Sequence, residues 1–92
     1  MQQETAEEIA MRALGWLAAR DDLLGVFMGA SGLTPGDLRA RAGEVEVLSA
    51  VLDFLTMDDN WVVGFCNAEG LPRDTPMRAR AALPGGAEMH WT

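Results

Sequence analysis

Apolar and polar positions follow helical spacing along this chain, and no stretch shows the two-residue alternation of a strand. Over about residues 6–19, Glu8, Arg12, Gly15 and Ala19 form one narrow stripe. Ile9, Ala10, Ala13, Leu14, Trp16 and Leu17 cover the remaining directions. Over about 45–57 the wet stripe is thinner, with Glu46, Ser49, Asp53 and Thr56 spaced three, four and three apart. Val45, Val47, Leu48, Val51, Leu52, Phe54 and Leu55 fill nearly every other direction. A helix of that kind is expected at the centre, packed on several neighbours or on a second subunit.

Helix punctuation divides the rest. Thr5 with Glu8 three residues on predicts a capping box for the first helix. Asp21 or Asp22 is expected to cap a second helix through Leu24, Phe27 and Met28, which Gly32 ends as a left-handed cap, with Leu33 folding back onto Met28. Thr34-Pro35-Gly36-Asp37 opens a third helix with a hydroxyl cap, Pro in the first turn and an acid at the third position; Gly43 closes it. Asp58 or Asp59 is expected to cap a fifth helix ending at Gly70, and Thr75-Pro76 to open a sixth in the manner of Thr34-Pro35. Pro84-Gly85-Gly86 stops it, leaving residues 85–92 as an expected loose tail.

The grammar repeats. At a shift of 38, Glu8, Leu14, Leu17, Asp21, Phe27, Ala30, Gly32 and Leu33 recur as Glu46, Leu52, Leu55, Asp59, Phe65, Ala68, Gly70 and Leu71. Composition alone gives roughly two such identities over this span. At a shift of 39, Arg39-Ala40-Arg41-Ala42 recurs as Arg78-Ala79-Arg80-Ala81. The expected fold is all-α: a single compact domain over residues 1–92 of about six short helices, built from two similar three-helix units at about 5–43 and 44–84.

Composition narrows the classes. The 92 residues are 49% hydrophobic and 23% charged, an ordinary globular balance for one domain. All seven basic residues are Arg, and fourteen carboxylates bring the net charge to -7, a field that repels nucleic acid. Cys66 is alone, so no internal disulfide forms and a reducing compartment fits. The acidic N-terminus is unlike a signal peptide and no apolar run approaches membrane-spanning length. The reading is a cytoplasmic protein with no membrane or nucleic-acid partner.

This much of the pattern resembles a known family. Residues 21–27 (DDLLGVF), 32–41 (GLTPGDLRAR), 50–55 (AVLDFL) and 78–85 (RARAALPG) are similar to domain-of-unknown-function family 3572, short and mostly alphaproteobacterial proteins of about this length. The resemblance implies one compact bacterial domain and brings no activity, ligand or site.

Candidate chemistry is sparse. Nucleophilic catalysis needs a base beside the nucleophile, and the only His, His90, falls in the tail. Cys66 takes the place of Met28 in the repeat and reads as a small buried hydrophobe. The pairs Asp21-Asp22 and Asp58-Asp59 read as helix starts rather than a metal site. No catalytic residue, cofactor or metal is therefore assigned, and an enzyme is not expected. A helix-turn-helix reading of the second and third helices is opposed by Asp37 and by the charge. What is left is surface. Arg39, Arg41, Arg78 and Arg80 are candidate contacts, with Glu8–Arg12, Asp37–Arg41 and Asp74–Arg78 spaced for local ion pairs. Trp61 is the aromatic candidate at an interface. The leading expectation is a small interaction module with a protein partner or a second copy; the alternative is a small-molecule or metal-binding domain.

Overall fold

In the computed structural model, residues 1–84 are described and form α1 (Gln3–Ala18), α2 (Asp21–Ser31), α3 (Pro35–Arg41), α4 (Val45–Leu55), α5 (Asp59–Glu69) and α6 (Thr75–Ala82). The fold is all-α, with a radius of gyration of 12.2 Å, as a compact domain of this size requires. The tail expectation for residues 85–92, His90 included, lies outside the described residues.

α4 is the centre. Its Val47, Leu48, Val51, Leu52, Phe54 and Leu55 are all buried, and it packs on α1, α2 and α6. The apolar faces of α4 are thus covered within one chain. α1 meets α4 and α6 closely because Ala6, Ala10, Ala13 and Ala79 are fully buried and add little bulk between the backbones. α5 is bridged by larger groups: Trp16 stands edge-on to Phe65 with centroids 6.2 Å apart, and Trp61 stacks on Phe54 at 4.6 Å. Phe27 of α2 meets the other face of this row, 5.4 Å from Phe54.

Several ends form as their residues dictate. Gly32 (φ 77°) and Gly70 (φ 69°) end α2 and α5 in the left-handed region. Their N–H groups donate to Met28 O and Cys66 O. Leu71 N–H also reaches Cys66 O, whereas Leu33 N–H turns to Ser31 Oγ. Thr34 and Asp37 make the reciprocal capping box, each backbone N–H donating to the other's side chain at 3.0 Å. Asp58 caps α5 through Asn60 N–H at 2.7 Å.

Three other starts differ from expectation. α1 begins at Gln3, with Gln2 as its cap, so Thr5 lies inside the helix and its box with Glu8 does not form. The Gln3 amide donates to Glu7 and supports that earlier turn. Arg20, not an aspartate, is the cap of α2; Asp21 and Asp22 sit in its first turn, where their charge suits the dipole. Thr75 does not cap α6. The loop 72–74 already bonds Thr75 N–H to Pro72 O, and Asp74 enters the helix in αR, so Thr75 is turned inward and buried.

The two halves also pack differently. α6 lies on both α1 and α4, while α3 has no buried residue and makes no comparably close approach to another helix. Counted from their Thr-Pro starts, Pro35, Leu38, Arg39 and Ala42 correspond to Pro76, Ala79, Arg80 and Leu83. Those α6 positions are buried, save Arg80, which is largely so, whereas Pro35 and Arg39 are exposed and Leu38 and Ala42 half-buried. Leu38 is bulkier than Ala79 at the matching position. Consequently the Arg-Ala-Arg segments are out of register by two residues: Ala79 faces the core and Ala40 faces solvent.

Candidate functional site

Because α3 stands off, an apolar groove opens between it, α1 and α2. Leu14 and Ala18 of α1, Leu24 and Met28 of α2, and Pro35 and Leu38 of α3 line it, with Arg39 as its charged member. Its volume is about 300 Å³. Leu14, Leu24, Met28 and Leu38 are half-buried, leaving aliphatic surface facing the opening. A smaller groove of about 220 Å³ lies between α2 and α4 over Phe27 and Phe54, with the exposed Met57 at its edge.

The five candidate surface residues are not brought together. Arg41 is spent locally, donating to Glu44 at 3.0 Å and Glu46 at 3.2 Å rather than to Asp37. Arg78 comes within 4.0 Å of Asp74, the expected pair. Arg80 is a structural clamp, its Nε donating to Asp53 Oδ1 at 2.6 Å across α6 and α4 with only 16% of the side chain exposed. Arg12 likewise ignores Glu8 and crosses to α5, reaching Glu69 Oε1 at 2.8 Å and Glu69 O at 3.2 Å. That second bond satisfies a carbonyl at the helix end. Trp61 is half-buried on Phe54. Of the five, Arg39 lines the α1–α2–α3 groove, and no carboxylate among the described residues pairs with it.

The groove itself escaped the sequence reading, since Leu14, Leu24 and Met28 have the same character whether covered or open. A signal was present in the repeat. Asp53, which holds Arg80, aligns with Gly15, and the step from Gly32 to Thr34 is three residues shorter than that from Gly70 to Thr75.

Elsewhere the chemistry is quiet. Cys66 is buried, its thiol donates to Pro72 O at 3.4 Å, and burial pushes its pKa up, with Arg73 opposing. A thiol held protonated is a poor nucleophile. Among the described residues no three His, Cys, Asp or Glu side chains gather as metal ligands. No helix among them is long and apolar enough to cross a membrane.

No curated protein and no solved structure matches the chain. A family does match nearly all of it: residues 3–86 fit the family described as "Protein of unknown function (DUF3572)", and the chain belongs to that family.

Proposed function

We propose that this protein is a small non-enzymatic helical interaction module that receives a segment of a protein partner in the α1–α2–α3 groove. One observation carries the reading: Leu14, Leu24, Met28 and Leu38 face an open groove of about 300 Å³, beside an Arg39 that no described carboxylate neutralises. Apolar anchors in a pocket with a charged rim are the usual core of a recognition surface. A cytoplasmic setting suits the lone buried thiol.

The test is capture of a stoichiometric partner from the host by the tagged chain, repeated with Leu38→Asp and, as a control, Arg78→Glu. Loss with the first variant and retention with the second supports the groove. Equal capture by all three removes it as the docking surface, and recovery of a second copy alone, sensitive to Leu38→Asp, makes the occupant this chain itself.

A second reading rests on size. About 300 Å³ is at the lower bound for small-molecule sites. A stabilising metabolite in a thermal-shift screen, lost with Leu38→Asp, would favour it.

A further inference from the structure

Arg39 and Arg80 occupy the same place after their Thr-Pro starts, five residues beyond Thr34 and Thr75, on the same side as Pro35 and Leu38 in one helix and Pro76 and Ala79 in the other. Their surroundings differ: Arg80 is largely buried beside Asp53, whereas Arg39 is exposed at the groove. Asp53 of α4 takes Arg80 at 2.6 Å, and α6 lies down on α1 and α4. The residue that aligns with Asp53 is Gly15 of α1, adjacent to the groove residues Leu14 and Ala18. It is exposed, and a Cβ built on it meets nothing within 4 Å. Arg80 thus has an acid from within the chain, whereas Arg39 stands exposed at an apolar groove, and the α1 position that aligns with Asp53 carries no acid.

We propose that the groove recognises a carboxylate on Arg39 beside an apolar side chain seated among Leu14, Leu24, Met28 and Leu38, so that a partner segment supplies from outside what Asp53 supplies to Arg80 from within. The occupant is a protein segment with an acidic residue next to a bulky apolar one. Guanidinium and carboxylate form the stronger, directional class of hydrogen bond, and the apolar walls lower the local dielectric around it. The chain's charge of -7 does not forbid this, because exposed charges beyond roughly 8–10 Å are screened at physiological salt and Arg39 is in direct reach. This deepens the interaction reading above and rests on it.

The experiment uses sodium hexanoate, an aliphatic chain ending in a carboxylate, with hexanamide as its uncharged counterpart. Each is titrated into the full chain while NMR follows the Met28 and Leu38 methyl groups and the Arg39 Nε–H. The expected result is saturable millimolar binding of hexanoate and at least fivefold weaker binding of hexanamide. Arg39→Gln should remove that preference and Arg78→Gln should keep it. Gly15→Asp, which places an acid inside the chain, should weaken hexanoate at least fivefold, whereas Gly15→Ala should leave it unchanged. Equal binding of the two probes, no saturable shift, or indifference to Gly15→Asp overturns the carboxylate assignment. That failure is separate from failure of the docking reading, which is decided by partner capture with Leu38→Asp.

Discussion

At the scale of single residues, glycines separate local propensity from packing. Gly25 and Gly29 lie exposed within α2, and a Cβ at either meets nothing within 4 Å. Gly25→Ala and Gly29→Ala should each stabilise the fold by about 0.5–1 kcal/mol, because alanine restricts the unfolded chain and suits a helix. Gly64 is also helical but faces Trp16, whose Cζ2 would lie 3.0 Å from a new Cβ. Trp16 is packed in a T-shaped contact with Phe65 and carries Arg20 over its ring, which limits its room to yield. Gly64→Ala should therefore destabilise, by about 1–2 kcal/mol net of the propensity gain. Urea denaturation of the three variants reads the signs directly, and stabilisation by Gly64→Ala would show that Trp16 relaxes freely.

At the scale of elements, what decides a helix end is whether its signal is self-contained. Gly32, Gly70 and the Thr34–Asp37 box act through bonds within a few residues, and each was legible from the sequence. Thr75 carries the same Thr-Pro signature as Thr34, but a longer loop brings the chain into α6 by a turn and fixes it inward. The Arg-Ala-Arg match misled similarly: two residues of register reverse which face an alanine presents, and only packing reveals it. The Thr34 box carries its own pH dependence. The Thr34 backbone N–H, then its side chain, hold the Asp37 carboxyl below the ordinary aspartate value. A lowered folded pKa contributes stability above the unfolded value and loses it as pH falls through the folded one. Protection of the α3 amides from hydrogen exchange should thus fall as pH drops below about 4, after correction for intrinsic rates, with α4 amides unaffected. The Asp53–Arg80 clamp predicts a larger, global effect. Asp53→Ala removes the acid from a largely buried guanidinium and should cost about 1.5–3 kcal/mol in urea denaturation, whereas Glu46→Ala, at an exposed pair, should cost under about 1 kcal/mol.

At the scale of the whole molecule, stability and recognition rest on different sides of the same bundle. The α1–α4–α6 contact holds many of the fully buried side chains, Leu17, Leu48, Leu52 and Leu55 among them, so Leu52→Ala should cost about 2–5 kcal/mol. Met28 and Leu38 have the apolar character of core residues yet remain half open to solvent. Removing Met28 to alanine forfeits only part of its burial and leaves no enclosed cavity, so the cost should stay below about 1.5 kcal/mol. Leu38→Asp should likewise leave a folded chain with an unchanged dependence on urea, since an exposed carboxylate at the groove mouth stays hydrated. The pair of measurements discriminates sharply. If Leu38→Asp unfolds the protein as readily as Leu52→Ala, then α3 closes onto the core in solution and the groove is filled by the chain itself. If it folds normally, the aliphatic surface at Leu14, Leu24, Met28 and Leu38 is not required by the fold, and a binding partner is the remaining physical reason for keeping it apolar.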